Sequence, residues 1–323
     1  MVPRYSLISR HCERSLRSNL LILLAIFLLS GCVTAPPTPT LEPVIEATPT
    51  PRAAIAAPDL SPTFVGRVRN ARYQLGIPDS LQVVQLTDGV YQTGTPGGED
   101  YISVNVLNFV ASGDLDGDGA DEVAALVSEN YGGTGVFVFL VAYSEVNGTL
   151  TFRTSIIVDD RPQVNAMSID NGEIYLDVVV HVVDDPMCCP TLRTARHYRL
   201  FPNNQLDMVD LTTFTPNGDP RTITIEAPPD GSEVYGAVQV RGSVTIAPFE
   251  NDLEYHVYDL GGVDLSIGAI SVASPAPGAP GTFNSVIKLG NILSGAVVRL
   301  EVRDINTADG SSFAMDSIEL VVK

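Results

Sequence analysis

The stretch Val298-Arg299-Leu300-Glu301-Val302-Arg303 shows the pattern on which the fold of this chain depends. Apolar and charged residues alternate strictly along it. Because successive side chains of a β-strand point to opposite faces, the apolar residues share one face and the charged residues share the other. The segment Leu253–Tyr258 repeats this alternation. Both stretches therefore predict β-strands with one core-facing side.

Short β-branched runs of the same kind recur evenly through residues 222–323. About eight strands in roughly 100 residues is the density of a β-sandwich of immunoglobulin type. We therefore predict such a sandwich over residues 222–323. Its strands are expected at Ile223–Ile225, Val238–Val240, Val244–Ile246, Leu253–Tyr258, Ile267–Val272, Phe283–Leu289, Val297–Val302 and Ile318–Val322.

Residues 222–323 also contain a series of short motifs in a characteristic order. They are Ile225-Glu226-Ala227-Pro228 with Gly231 and Val234, Val240-Arg241-Gly242, Phe249-Glu250-Asn251, Gly281-Thr282-Phe283 and Asp309-Gly310-Ser311. With these motifs the segment resembles the immunoglobulin-like domain found in bacterial spore germination proteins and in other secreted bacterial proteins. The resemblance implies a sandwich fold with an accessory or binding role, and it brings no catalytic motif. It does not make this protein a germination factor.

Residues 63–211 are predicted to form a second folded unit, a β-rich (α+β) domain built as an antiparallel meander. One short helix is expected over Val65–Leu75, and Asn171-Gly172 predicts a tight hairpin. Residues 212–221 are polar and contain Pro and Gly, so they are predicted to be a linker. The expected strands are Leu81–Leu86, Tyr101–Val110, Val123–Val127, Val136–Tyr143, Leu150–Val158, Val164–Ile169, Ile174–Val182 and Arg196–Leu200.

The chain begins with the layout of a secretory signal, in which four arginines precede the apolar run Leu20–Leu29. The run ends in Leu29-Ser30-Gly31-Cys32, which resembles a bacterial lipobox. The resemblance implies that residues 1–31 are a signal peptide and that Cys32 becomes a lipidated N-terminus. The chain would then be anchored in the bacterial cell membrane and face the exterior. A retained, uncleaved anchor is the alternative, although a membrane-spanning helix needs roughly 20 apolar residues.

Residues 32–62 are predicted to be a disordered stalk that begins at the lipidated cysteine. Positions 33–62 hold eight prolines and five threonines, a composition that cannot bury enough apolar surface to fold. In extended polyproline geometry, at about 3.1 Å per residue, such a segment reaches roughly 90 Å. The stalk is therefore expected to hold the folded part away from the membrane.

The charge of the chain limits its partners. The full chain carries 19 Lys and Arg against 38 Asp and Glu, a net charge of −19. Residues 1–31 hold four of the basic and one of the acidic residues, which leaves 15 against 37, or −22, in the processed chain. This balance argues against binding nucleic acid or an anionic membrane surface through charge. It suits an exterior protein that holds divalent cations, or one that is simply soluble.

The sharpest chemical signal is the acidic loop, residues 114–122, with the sequence Asp-Leu-Asp-Gly-Asp-Gly-Ala-Asp-Glu. Carboxylates at alternate positions let one short loop surround a cation, and Ca²⁺ takes about six to eight oxygen ligands. The loop resembles the calcium loops of integrin-type repeats and dockerins. By that resemblance the ligands are the side chains of Asp114, Asp116, Asp118 and Glu122 and the carbonyl of Ala120.

The acidic loop has two other interpretations besides this calcium site. An EF-hand proper needs a bidentate Glu at the twelfth position, which is Ala125 here, so the EF-hand is rejected. A solvated acidic turn without any ion is the other alternative, since Asp-Gly pairs favour turns by themselves. Five carboxylates in nine residues repel one another, which favours a structural Ca²⁺.

Cys188 and Cys189 are adjacent, and they are the only cysteines left once Cys12 is removed with the signal and Cys32 is lipidated. In an oxidising exterior they have three options: a vicinal disulfide, two free thiols or an intermolecular bridge. A metal site joined by His181, Asp184 or His197 is disfavoured, because two adjacent cysteines rarely point at one ion.

Three functional hypotheses follow from these features. The first is a non-catalytic interaction module of the bacterial envelope that binds protein or polysaccharide and carries one structural calcium ion. The second is a secreted enzyme whose site lies in residues 64–211 near His181 and the two cysteines. The third is a purely structural envelope component. We favour the first, because no nucleophile elbow or phosphate loop is present in the sequence.

Overall fold

The computed structural model describes residues 62–76, 82–290 and 292–323. The predicted signal peptide 1–31, Cys32 and the stalk up to residue 61 lie outside these ranges. Within them the chain is nearly all β, as the alternation predicted. One helix, α1 (Pro62–Val68), precedes the strands.

The strands of the N-terminal half follow the predicted runs closely, with three additions at Arg72–Gln74, Val90–Thr93 and Leu206–Phe214. The helix expected over Val65–Leu75 is shorter than predicted, because Tyr73 lies in a β-strand of a hairpin and is buried in the core beneath it. The strands are β1 (Arg72–Gln74), β2 (Val83–Gln85), β3 (Val90–Thr93), β4 (Ile102–Gly113), β5 (Glu122–Asn130), β6 (Phe137–Val146), β7 (Thr149–Asp160), β8 (Gln163–Asp170), β9 (Glu173–Val180), β10 (Leu192–Leu200) and β11 (Leu206–Phe214).

In the C-terminal half, the predicted strands Val238–Val240 and Val244–Ile246 are replaced by one strand, Ala237–Val244, because Gly242 continues the ladder instead of ending it. A Cβ at Gly242 would lie 2.3 Å from the Phe283 ring, so only glycine fits there. The strands are β12 (Pro220–Arg221), β13 (Ile223–Ala227), β14 (Ser232–Val234), β15 (Ala237–Val244), β16 (Asp252–Asp259), β17 (Asp264–Ala273), β18 (Gly281–Lys288), β19 (Val297–Ile305) and β20 (Ser312–Val322).

The strands pair into three sheets within the described residues. β1 and β2 form a hairpin, and β3 to β7 form a five-stranded antiparallel meander. The third sheet has the strand order β13-β15-β18-β17-β16-β19-β20-β11-β10-β9-β8, with β12 beside β11 and β14 beside β20. All pairs are antiparallel except β14 with β20. The predicted antiparallel pairing is thus confirmed, but the meander covers only β3 to β7, since β8 to β11 belong to the third sheet. At Asn171-Gly172 both residues have positive φ, as the tightest hairpin turns require.

Three apolar cores hold these layers together. In the C-terminal half, buried residues of β13, β15 and β18 meet those of β16, β19 and β20 in one cluster, so the sheet folds over itself there. A second core lies between the five-stranded sheet and β8–β11. A third lies on the other side of the five-stranded sheet, under α1 and the β1–β2 hairpin. Burial of a residue such as Leu300, which is 0% exposed, contributes roughly 1.5–3 kcal/mol.

The segment 212–221, predicted to be a linker, is part of the large sheet. β11 extends to Phe214, and after a turn closed by Thr215 and Asp219, β12 pairs back onto β11. β11 also pairs with β20 through three residue pairs, which we call the β11–β20 seam. The predicted domains 63–211 and 222–323 therefore lie in one compact unit and share one sheet.

The charged face of β19, predicted from the alternation, is covered by protein. Arg299 is 7% exposed and Glu301 is 1% exposed. The Arg299 guanidinium lies 3.1 Å from Asp207 and 3.2 Å from Glu301, and it stacks over the Phe201 ring at 5.4 Å. The turn between β10 and β11 thus lies over the C-terminal half.

Buried Glu129 fastens the N-terminal hairpin to the five-stranded sheet. It is 0% exposed, and its Oε1 accepts hydrogen bonds from the Gly76 amide at 2.8 Å and from the Tyr73 hydroxyl. Its Oε2 accepts one from the Tyr131 hydroxyl. Burial, together with the Glu129 carboxylate, raises the pKa of both Tyr73 and Tyr131 above the ordinary tyrosine value. Both phenols therefore remain donors to Glu129.

Candidate metal centre

The acidic loop joins β4 to β5 in a tight hairpin closed by the pairing of Gly113 with Glu122. The Asp114 carboxylate organises the loop, because it accepts hydrogen bonds from the Gly117 amide at 2.7 Å and the Gly119 amide at 3.0 Å. Both glycines have positive φ, at 77° and 87°, a conformation that other residues rarely adopt. The glycines of the motif thus allow the turn, and the Asp114 carboxylate holds it through their amides.

Three of the predicted side-chain ligands converge. Asp114, Asp116 and Glu122 each offer one carboxylate oxygen, and these oxygens lie within 4.8 Å of one another. Asp118 lies outside this group, and its Oδ1 accepts a hydrogen bond from the Ala120 amide at 2.8 Å. The carbonyl of Ala120 stays a predicted ligand. A group of this size and donor type could hold a metal ion.

Glu122 is the buried member of the group, with 3% of its surface exposed. Its Oε2 accepts from the Leu115 amide at 3.1 Å and its Oε1 from the Ser144 hydroxyl at 3.3 Å. Burial raises the pKa of Glu122 above the ordinary glutamate value, and the charges of Asp116 and Asp118 raise it further against those two hydrogen bonds. A cation would favour the ionised carboxylate and relieve this repulsion.

A cleft of about 460 Å³ opens beside the acidic loop. On its far side lies the β8–β9 turn with Asp170, Asn171 and Gly172. The side chains of Asp170 and Asn171 are oxygen donors that an ion or its bound waters would meet. The sequence did not predict that the β8–β9 turn lines this cleft, because the acidic loop and that turn are neighbours only through the packing of β4 on β8.

Arg153 on β7 is a basic residue that forms an ion pair with one of the three carboxylates. Its Nη1 lies 2.9 Å from Asp116 Oδ2 and donates to the Ser144 hydroxyl at 2.8 Å. Its Nε donates to the Asn204 side chain at 2.6 Å. Arg153 and Ser144 were absent from the sequence-based prediction, because no local spacing links them to residues 114–122.

The Cys188–Cys189 pair lies in an ordered, exposed loop between β9 and β10. Asp185 organises this loop by accepting from the Val182 amide at 3.0 Å and from the Thr191 amide at 2.8 Å. These hydrogen bonds lower the pKa of Asp185 below the ordinary aspartate value. The two cysteine Cα atoms are 3.8 Å apart and their sulfur atoms are in contact, and the vicinal disulfide stays a prediction.

His181 pairs with a carboxylate. Its Nδ1 is 3.1 Å from Asp159 Oδ2, and its backbone amide donates to the same oxygen at 2.6 Å. Its Nε2 is buried and has no hydrogen-bond partner. The enzyme hypothesis needs His181, a cysteine and a carboxylate together, and among the described residues no hydrogen bond joins His181 to Cys188 or Cys189.

A second titratable group lies at the β11–β20 seam, where Asp210 is paired directly with Asp316. Burial and then the neighbouring carboxylates raise the pKa of Asp210 to about 7. Burial raises the pKa of Asp316 to about 6, although the Ile225 amide donates to its Oδ2 at 2.6 Å. His197 and Glu173 face Asp210 from β10 and β9.

The groups around this aspartate pair leave an excess of negative charge. The hydrogen bond that the Glu173 carboxylate accepts from the His197 ring raises the pKa of His197, and Glu173 also pairs with Arg199 at 2.8 Å. Arg199 lies 3.4 Å from Glu319 on β20, and Asp230 accepts from the Glu319 amide. We therefore expect the stability of the seam between the two halves of the sheet to depend on pH.

No protein-family model matches the chain, and no curated protein is significantly similar to it. The resemblances to a lipobox, to a germination-type immunoglobulin-like domain and to integrin-type or dockerin loops therefore stay predictions from the residues. Among the described residues, no helix has the length and apolar character needed to cross a membrane.

Proposed function

We propose that this protein is a lipid-anchored, exterior-facing protein of the bacterial envelope that acts as a non-catalytic interaction module stabilised by one calcium ion. The observation that carries the calcium site is the convergence of Asp114, Asp116 and buried Glu122, whose oxygens lie within 4.8 Å of one another. The proposed lipid anchor is supported by the lipobox-like stretch that ends at Cys32. The proposed distance between the membrane and the folded part is supported by the stalk that follows it.

The donor chemistry favours calcium over transition metals. All three side chains offer carboxylate oxygens, and Ca²⁺ is bound by oxygen at about 2.3–2.6 Å in flexible geometry. The remaining ligands would come from the Ala120 carbonyl and from water in the cleft beside the β8–β9 turn. The ion would join the acidic loop to the start of β5, and through Ser144 to β6, so its role is structural.

The interaction role is supported by an exposed loop that is held in one conformation. In the segment 182–191, Val183 is 76% exposed and Met187 is 58% exposed, while Asp185 fixes the backbone at both ends. Contiguous exposed apolar surface marks protein–protein contact sites, and Val183 and Met187 lie in the same loop. An envelope protein or polysaccharide that meets this loop is the proposed partner.

Calcium is expected to raise the melting temperature of the full chain above that measured with chelator. At free calcium 100 times Kd, linkage adds about 2.7 kcal/mol to the free energy of unfolding. Glu122→Gln should abolish the shift, because it removes the buried charged ligand. Scanning calorimetry with calcium, magnesium or chelator measures this, with Asp219→Asn as an exposed control that keeps the shift. An identical melting temperature with calcium and with chelator would remove the calcium site from the proposal.

Cys32→Ala is expected to release the protein from the membrane fraction, because a lipid-anchored chain loses its attachment when the modified cysteine is gone. Cell fractionation and the intact mass of the wild-type N-terminus measure this, with Cys12→Ala as the matched control that leaves anchoring unchanged. If Cys32→Ala remains in the membrane fraction, the lipid anchor is refuted while the calcium site stands.

A further inference from the structure

The acidic loop already has a cation of its own. Arg153 Nη1 lies 2.9 Å from Asp116 Oδ2, and the Arg153 side chain is only 19% exposed. The same nitrogen donates to the Ser144 hydroxyl, which in turn donates to Glu122. The guanidinium is thus bonded directly to one of the three converging carboxylates and indirectly to a second.

Arg153 also reaches a second element through its other nitrogen. Its Nε donates to Asn204 Oδ1 at 2.6 Å. Asn204 has φ of 63° and lies in the β10–β11 turn, which is closed by hydrogen bonds from the Phe201 amide to the Gln205 carbonyl at 2.8 Å and from the Asn204 amide to the Phe201 carbonyl at 2.9 Å. A planar guanidinium can hold both partners at once because its donors form a rigid fork.

The β10–β11 turn in turn contacts the C-terminal half. The Asn203 side chain donates to the Leu260 carbonyl at 2.8 Å, and Phe201 lies under the Arg299 guanidinium. A continuous series of contacts therefore runs from Asp116 through Arg153 and Asn204 to the C-terminal half of the large sheet.

We propose that Arg153 is the resident counter-cation of the acidic loop, that a divalent cation competes with it for Asp116, and that ion binding thereby loosens the β10–β11 turn. This proposal rests on the calcium site proposed above and adds its regulation. Two cations at one carboxylate group repel, so the incoming ion weakens the Arg153–Asp116 pair. Because Arg153 is held by both Asp116 and Asn204, loss of its ion pair with Asp116 weakens its hydrogen bond to Asn204.

The test measures the calcium affinity of the full mature chain and of its variants in detergent. The method is isothermal titration calorimetry with calcium as the only ligand. Arg153→Gln should lower the Kd by about tenfold, because it removes one competing charge beside the site. Arg193→Gln is the matched control: it removes an arginine paired with Asp177 on the large sheet and should leave the Kd within twofold of wild type. Arg153→Lys, which keeps the charge, should stay close to wild type.

The outcomes separate the two proposals. If wild type binds calcium and Arg153→Gln does not bind it more tightly, the counter-cation role is overturned and the calcium site stands. If only Arg153→Gln binds calcium, Arg153 blocks the site in the native chain, so the proposed calcium function fails and the counter-cation role holds. If neither binds, both proposals are overturned.

A measurement on the wild type covers the case in which Arg153→Gln fails to fold. Hydrogen exchange of the Asn204 and Phe201 amides should accelerate when calcium is added, while the Gly117 and Gly119 amides of the acidic loop should slow. Unchanged or slower exchange in the β10–β11 turn with calcium bound would overturn the coupling.

Discussion

Changing Glu129 to alanine is expected to lower the free energy of unfolding by about 4 kcal/mol. The change leaves the buried Tyr73 hydroxyl and the partly buried Tyr131 hydroxyl and Gly76 amide without their common acceptor. Each unsatisfied buried donor costs about 1–3 kcal/mol. Urea unfolding followed by circular dichroism measures the loss.

Two companion variants make this result specific. Glu129→Gln keeps one acceptor oxygen and should lose about half as much as alanine. Glu145→Ala removes a glutamate from β6 whose ion pair with Arg67 is exposed, and it should change stability by less than about 1 kcal/mol. A loss below about 1 kcal/mol for Glu129→Ala would mean that Glu129 does not fasten the β1–β2 hairpin.

The protein should gain stability when Asp210 is changed to asparagine, and only at neutral to alkaline pH. In the folded state the pKa of Asp210 is raised to about 7, above its value in the unfolded chain. Between about pH 4 and 7 the folded state therefore binds more protons than the unfolded state, so stability falls as pH rises through this window. Above it Asp210 and Asp316 are both charged within the seam.

Asp210→Asn removes this repulsion and should add on the order of 2 kcal/mol at pH 8, with little difference from wild type at pH 4. Urea unfolding of both proteins from pH 4 to 8 measures the difference as a function of pH. Asp184→Asn, at an exposed aspartate, is the control and should follow wild type throughout. A variant that is equally or less stable at pH 8 would show that the seam carries no such repulsion.

The alternation in the sequence predicts most of the strands, because the face of the sheet to which a side chain points depends only on whether its position along the strand is odd or even. Asn171-Gly172 predicts its hairpin for an equally local reason, the positive φ that both residues adopt. The helix predicted over Val65–Leu75 fails beyond Val68, where the pairing of Tyr73 with Val84 overrides local preference. Such pairing is set by distant residues, and local pattern does not contain it.

The linker prediction at 212–221 shows the same limit. Thr212 and Thr213 look polar in sequence, yet Thr213 is 3% exposed and its hydroxyl donates to the Phe313 carbonyl, 100 residues away. The charges at Arg299 and Glu301 likewise lie on the predicted face, but nothing local indicates that the β10–β11 turn covers them. Sequence pattern defines faces, whereas tertiary packing decides what each face meets.

For the candidate metal centre, the spacing of the aspartates predicts a loop in which several carboxylates approach one another. It does not distinguish Asp118, which bonds to the Ala120 amide, from Asp116, which joins Asp114 and Glu122. Arg153 is 37 residues from Asp116 in sequence, and it reaches the loop because β5, β6 and β7 lie side by side. Only the strand order reveals this partner.

The place of β20 in the large sheet makes this strand unusually important. It is bonded to β19 on one side and to β11 and β14 on the other. A premature stop codon just before Ser312 would therefore leave open edges in both halves of the molecule at once. Open edges recruit other chains, so such a truncated product should aggregate rather than persist as a shorter protein.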